Sequence, residues 1–285
     1  MRENRLISFI IILITYILAL IFGIFVFNLN LHSNFFINVF IADVAATIFV
    51  FLIGVLFSNA SVYDPYWSVA PLAILPLAAI HFNNFSLGVI LLLVVVFYWG
   101  IRLTINWAYT FNGLNHQDWR YTMLKEKSKK FYPIVNFLGI NMFPTFIVFF
   151  AILPALYYIS DSTFSLLSII GLIISIIATT IQLISDYQMH SFRKTNVDRS
   201  KMINVGLWKT SRHPNYFGEI MMWWGVFAFV FINDMSRWIL LVGALANTLM
   251  FLFISIPMQE KRLLARNSNY SEYIENTNKL IPWIW

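Results

Sequence analysis

The stretch Ser211-Arg212-His213-Pro214-Asn215-Tyr216-Phe217-Gly218-Glu219 sets a guanidinium, an imidazole, an amide, a phenol and a carboxylate side by side. Pro214 suits the first turn of a helix, where its missing N–H is not needed. On that helix Asn215 and Glu219 share a face, with Glu219 one turn inside and Arg212 and His213 at the start. A helix N-terminus beside a cation suits an anionic ligand group such as a phosphate. Glu219 has the chemistry to accept a hydrogen bond from an amide, a ribose hydroxyl or an arginine. The plainer alternative is an interfacial Arg–Glu pair that only anchors the helix.

Three further groups mix charge, amide and phenol at the ends of apolar runs. Asp186, His190 and Arg193 or Lys194 fall on one helical face beside Tyr187. Arg193 can hold a phosphate in a fork and Lys194 as a point charge; both also suit a membrane-surface anchor. Asp186 with His190 makes half a metal site, but HExxH and a third ligand are lacking, so no metal is expected. Tyr98, Arg102 and Asn106 are spaced one turn apart, and Trp107, Tyr109, Asn112 and the run Asn115 to Arg120 follow. That segment reads as the wall of a site, or else as a surface helix with interfacial tryptophan. In Tyr63-Asp64-Pro65-Tyr66-Trp67-Ser68, Asp64 and Tyr66 suit proton relay if the segment dips into the membrane. Otherwise it is a capped turn on the outer side. The tail, with Gln259, Glu260, Lys261, Arg262, Tyr270, Tyr273 and Pro282-Trp283-Ile284-Trp285, reads as a short amphipathic helix at the cytosolic surface, or as a cover on a cofactor pocket. There is no GxGxxG opening a βαβ unit, no GxxxxGK[ST] and no GxSxG, so a nucleotide would have to sit between helices and basic loops. With no cysteine, thiol catalysis and thiolate metal sites are excluded.

The elements that must carry these residues are membrane helices. Of 285 residues, 59% are hydrophobic and 11% charged, against about 25% charged in a soluble domain. So little charge cannot cover a water-facing surface. The 28 Phe, 10 Trp and 13 Tyr suit a lipid-facing surface with aromatic belts. Apolar runs long enough to cross a bilayer start at Leu6 to Phe27, read as a crossing and not a cleaved signal peptide. They continue at Ile41 to Phe57 with Asp43 near its start, Phe85 to Ile101 ending at Arg102, and Phe131 to Ser160. Thr163 to Ser185, Asn215 to Ile232 and Trp238 to Ile256 complete the set, the last stopping before Pro257. Tyr66 to Ile80, with Pro71 and Pro76, is a kinked crossing or a re-entrant piece. The runs are continuous, not alternating, so β-barrel strands are set aside. The expectation is an all-α, polytopic transmembrane helical bundle of seven or eight crossings in one membrane domain spanning 1–285. Lys and Arg gather at the N-terminus, at Arg120 to Lys130, at Arg193 to Arg212 and at Lys261 to Arg266. Eight crossings put all of these on one side, which the positive-inside rule makes cytosolic, with the C-terminus. The formal charge of +6 then belongs to cytosolic loops and does not call for nucleic acid. No inverted repeat of the kind transporters carry is visible.

The same residues carry a resemblance. Gly206-Leu207-Trp208 followed by Ser211 to Glu219 resembles the C-terminal signature of the steroid 5-alpha-reductase superfamily, and more closely its DUF1295 branch. Asp186 to Lys194, Tyr63 to Ser68, Arg102 to Arg120 and the ending Tyr270, Tyr273 and Ile281-Pro282-Trp283 are similar to that branch too. The likeness covers about 55–285, leaving 1–54 as additional N-terminal crossings. It implies a steroid 5-alpha-reductase-like bundle with a cytosol-facing NADPH cavity. The implied activity is reduction of a carbon–carbon double bond in a lipophilic steroid-, prenyl- or acyl-like enone. It implies Asp186, Arg193, Arg212, Asn215, Tyr216 and Glu219 at the cofactor, with Arg102 and Asn106 as weaker candidates. His190, Lys194 and His213 join them from the groups above. The acidic residue and tyrosine that polarise the substrate carbonyl in that superfamily find their nearest match in Asp64 and Tyr66, with Tyr98 as a further donor. The Arg-His-Pro-x-Tyr pattern also resembles membrane isoprenylcysteine carboxyl methyltransferases, which implies S-adenosylmethionine as the alternative cofactor. Expected partners are a lipophilic small molecule and membrane lipids. The expected place is a bacterial inner membrane, and the oligomeric state is not given by the sequence.

Overall fold

A computed structural model describes residues 4–196, 198, 201–267 and 269–282. Arg2, of the basic cluster at the N-terminus, and Trp283, Ile284 and Trp285 lie outside the described residues. Among the described residues all regular structure is helical. Seven helical runs among the described residues are long and apolar enough to cross a membrane: Arg5–Asn28, Phe35–Leu56, Leu87–Thr110, Trp119–Ser160, Leu166–Thr195, Pro214–Asn233 and Met235–Arg266. Their outward faces expose large apolar side chains such as Leu6, Leu52, Val94, Ile105 and Phe253, a surface that meets lipid and not water.

The chain divides into two compact units, Met1–Asn84 with Gly100–Ile152, and Phe85–Trp99 with Leu153–Trp285. The first holds α1 (Arg5–Asn28), α2 (Phe35–Leu56), α3 (Tyr66–His81), the later part of α4 (Leu87–Thr110) and α5 (Trp119–Ser128). It also holds a π-helical stretch, Val135–Met142, that leads into α6 (Phe143–Ser160). Side chains cap the starts of these helices: Asn4 accepts from Leu6 N and Ile7 N, Asn34 from Ile37 N, and Asp118 from Arg120 N. Helix α3 has 16 residues with Pro71 and Pro76 inside. At about 24 Å by helical rise it is shorter than an apolar membrane core.

The second unit holds the rest of α4 and α6, then α7 (Ile169–Thr195), α8 (Pro214–Asn233), α9 (Leu241–Met250), α10 (Ile256–Arg266) and α11 (Tyr270–Asn276). Helices α7 and α8 pack almost backbone to backbone. A Cβ on Gly171 would lie 2.6 Å from Gly225 O, and one on Gly225 would lie 2.6 Å from Gly171 O. This is the small-residue contact that membrane helices use in place of a hydrophobic drive. Ser175 Oγ adds a bond to Met222 O at 2.9 Å.

Four helix ends differ from the sequence reading. Helix α2 starts at Phe35 and not near Ile41, because Asn34 caps it and the Asn38 side chain is satisfied by His32 N and O. Asp43 therefore sits two turns inside and not near the start. Helix α4 does not stop at Arg102 but runs on to Thr110, and α7 continues past Ser185 to Thr195. The last crossing does not stop before Pro257. A π-turn, Phe251–Ser255, absorbs the proline, which takes the first turn of α10.

Candidate functional site

In the first unit α1, α2 and α3 enclose an apolar cleft of about 300 Å³. Its walls are mostly small or aliphatic: Ala19, Gly23, Ala42, Ala46, Ala70 and Ala73, with Leu20, Ile24, Ile74 and Leu77. Asp43, Tyr66 and Tyr16 also line it. Tyr66 Oη donates to Asp43 Oδ1 at 2.7 Å, and both residues are buried at 6% exposure. Phe27, Phe35 and His81 line it as well, with His81 stacked on Phe35 at 4.8 Å and 27°.

The Tyr66 ring is fixed from behind. It stacks on Tyr63 at 5.2 Å, and Tyr63 Oη bonds Thr145 Oγ1 at 2.7 Å, which bonds Thr47 Oγ1 at 3.0 Å. Tyr16 Oη donates to Val62 O at 3.0 Å. Val62, Tyr63 and Tyr66 are held in turn by the loop after α4. Asn59 Nδ2 donates to Leu114 O at 2.7 Å and His116 O at 3.0 Å. Gln117 Oε1 accepts from Ala60 N, and Ser61 Oγ accepts from Asp118 N. Leu114 N closes the circle on Ser8 Oγ near the start of α1. The Tyr63–Ser68 segment thus lies at the end of the unit where α1 begins and α4 finishes. An amide- and aspartate-rich stretch with no repeating apolar pattern is here a brace for the cleft.

Asp43 is the residue the sequence reading passed over. The signal was there: a carboxylate inside a membrane helix marks a candidate site by its cost alone. It was hidden by the misplaced start of α2. Asp64 stands apart from the cleft. It is half-buried and accepts from Tyr121 Oη at 2.6 Å. Burial pushes its carboxyl up to about 7 against the opposing pull of the nearby Arg120. Tyr66 is therefore paired with Asp43 and not with Asp64. In the same unit Arg102 is buried on α4, and Asn106 is half-buried one turn on.

In the second unit the signature segment is mostly engaged in holding its own fold. Arg212 Nε donates to Glu260 Oε1 at 2.8 Å, and its Nη1 reaches Ile274 O and Thr277 O. Arg212 N donates to Asn278 O, Ser211 Oγ to Leu280 O, and Tyr273 Oη to Trp208 O. His213 Nε2 lies 3.2 Å from the same Glu260 oxygen, and its ring stacks on Tyr216 at 5.3 Å. Burial holds the His213 imidazole below its usual range, against the pull of Glu260. The tail is accordingly folded in: Tyr270 and Tyr273 are buried, and burial pushes both phenols up. Glu219 accepts from Trp99 Nε1 at 2.9 Å and from Trp223 Nε1 at 3.1 Å. Tyr98 Oη bonds Thr180 Oγ1 at 3.2 Å. Asn215, Asp186 and His190 are half-buried, while Arg193 and Lys194 are exposed on the last turn of α7.

Arg193 and Lys194 have the charge to meet the phosphates of a dinucleotide. The Asn247 side-chain Nδ2 on α9 is buried with no hydrogen-bond partner. A ligand acceptor would satisfy it. Arg212, His213 and Glu219 suit such a cofactor less directly, since protein groups already take much of their bonding capacity. Among the described residues no three His, Cys, Asp or Glu side chains gather as a metal site would require.

No curated protein and no solved structure matches the chain. Residues 50–278 do match DUF1295, described as a protein of unknown function. The chain is a multi-pass, all-helical membrane protein that belongs to the DUF1295 family.

Proposed function

We propose that the protein is a membrane oxidoreductase that reduces a carbon–carbon double bond conjugated to a carbonyl in a lipophilic molecule, with NADPH. The carrying observation is the 2.7 Å Tyr66–Asp43 pair in the wall of a mostly apolar cleft. In its carboxyl form Asp43 donates to the Tyr66 oxygen, and the phenol O–H is then available to a ligand carbonyl. A donor held rigidly by Tyr63 and Thr145 stabilises charge that develops on that oxygen during reduction, and so acts on the transition state more than on binding. Asp43 takes the role that the sequence reading gave to Asp64. Asp64, bonded to Tyr121, positions the loop under Tyr66, and Tyr98 positions α4 through Thr180.

NADPH supplies a hydride when bound. Arg193 and Lys194 are assigned to phosphate, and Asp186, His190 and Asn215 to polar groups of the sugars or amide. Arg212, His213, Tyr216 and Glu219 shape that region through the contacts they make, and Arg102 and Asn106 are secondary candidates. The family is compatible with a membrane enzyme of this general class. By the positive-inside rule the basic clusters put the C-terminus in the cytosol, here of a bacterial inner membrane.

The test offers NADPH and S-adenosylmethionine in parallel to protein in lipid nanodiscs with a lipophilic enone. NADPH consumption that falls about 100-fold in Tyr66→Phe supports the reading. Binding of S-adenosylmethionine alone moves the assignment to methyl transfer, and binding of neither overturns both.

A further inference from the structure

We infer that the corner where α5 meets the following crossing is a binding site for an anionic phospholipid, held by Lys125, Lys129 and Lys130. The site lies wholly in the first unit and does not depend on the reductase reading.

The backbone brings the three lysines to one place. Lys129 N donates to Lys125 O at the end of α5, and Lys130 follows. The Lys125 ammonium lies 5.8 Å from the centre of the Tyr132 ring, and that of Lys130 lies 5.3 Å from the centre of Phe131. All three lysines are exposed. Among the described residues none of them pairs with a carboxylate, the neighbouring Glu126 included. Arg120 of the same helix differs, since Asp118 takes it at 2.8 Å. The lysines therefore present charge that the protein itself does not neutralise.

Their level in the membrane follows from what comes next. Phe131, Ile134 and Leu138, spaced three and four residues apart, are 58%, 57% and 54% exposed, and the helical run continues to Ser160 as a crossing. Large apolar side chains this exposed belong in lipid, so the ammonium groups stand where the headgroups begin. Cations grouped just outside a crossing attract anionic lipid. A phospholipid there satisfies both halves of the surface, its phosphate at the lysines and its acyl chains along Phe131, Ile134 and Leu138. A free phosphate satisfies only the first. Lys129 has φ +47°, a region that glycine enters without strain and lysine does not. The chain carries a cation where its backbone favours glycine.

The test titrates detergent-purified protein with dioleoyl phosphatidylglycerol or dioleoyl phosphatidylcholine and counts bound copies by native mass spectrometry. Phosphatidylglycerol is expected to bind more tightly. Lys125→Gln, Lys129→Gln and Lys130→Gln in one variant should weaken its first binding about 100-fold, and each alone about fivefold. The three changed to Arg should keep it within about twofold, since the charge is retained. Lys201→Gln, Lys209→Gln and Lys261→Gln together remove as much charge from exposed lysines of the second unit, and should change it by less than about twofold. Lys129→Gly separates binding from folding: it should weaken phosphatidylglycerol about fivefold and raise the thermal midpoint in phosphatidylcholine. Equal binding of the two lipids, or equal loss in the two triple Gln variants, overturns the site. Displacement of the lipid by excess glycerol 3-phosphate overturns the lipid assignment in favour of a soluble phosphate.

Discussion

Trp99 on α4 donates its indole N–H to Glu219 on α8 at 2.9 Å, and Trp223, one turn along α8, donates to the other carboxylate oxygen at 3.1 Å. The two indoles meet edge to face at 4.8 Å. A single carboxylate thus organises two of the largest side chains in the second unit. Glu219→Gln should lower stability by about 1–3 kcal/mol, because an amide offers one acceptor and turns its N–H toward the other indole. Thermal unfolding followed by tryptophan fluorescence checks it. A variant that melts like the wild type would show that the carboxylate is not shared between the indoles.

Arg212 ties the tail to the start of α8, and its removal should free that tail. Arg212→Ala leaves Glu260 inside the fold at 15% exposure without its cation. Breaking such a pair from one side costs about 3–5 kcal/mol. Replacing Arg212 and Glu260 together should cost less than Arg212→Ala alone, since no uncompensated charge remains. Limited proteolysis with mass spectrometry should show early cleavage near Tyr270 in the single variant. Intact tails in Arg212→Ala would mean that Tyr273, Ser211 and the backbone bonds hold the tail by themselves.

Much of the architecture was legible in the sequence, and little of the pairing was. The continuous apolar runs placed the long helices because lipid demands that composition over that length. Their ends were misread wherever polar residues continued the helix: Asn34 and Asn38 looked like loop, and Arg102 and Asp186 looked like stop signals. At the start of α2 the Asn34 cap and the bonds between Asn38 and His32 remove the cost. The same blindness hid the site. Asp43 reads as an edge residue until the cap at Asn34 is known, and Tyr66 then has a nearer acid than Asp64. The partners of Glu219 and Arg212, namely Trp99 and Glu260, lie far off in the chain, and spacing alone carries no information about them.

Asp64 predicts a pH dependence with a definite sign. Its folded carboxyl is raised from 3.8 to about 7, first by burial, so the folded state holds its proton more tightly than the unfolded chain. The stability it contributes is fully present below 3.8 and is lost as pH rises toward about 7. Asp64→Asn should flatten the stability profile across that window, as read from thermal midpoints at stepped pH. An unchanged slope would show that Asp64 is ionised in the fold and that Arg120 outweighs burial.

The cleft pair separates a role in chemistry from a role in packing. Tyr66→Phe keeps the ring between Tyr63 and Tyr16 and removes only the hydroxyl, so stability should fall by about 1 kcal/mol. Turnover of a lipophilic enone should fall about 100- to 1000-fold, the loss expected when a preorganised donor to a developing oxyanion is removed. Asp43→Asn should be milder in turnover. An amide N–H can still donate to the Tyr66 oxygen and leave the phenol O–H directed at the substrate. The order of the two variants is the informative result, because a purely structural pair would lose stability in both and turnover in proportion. Turnover that survives in Tyr66→Phe but fails in Asp43→Asn would transfer the donor role to Asp43 and remove Tyr66 from the chemistry.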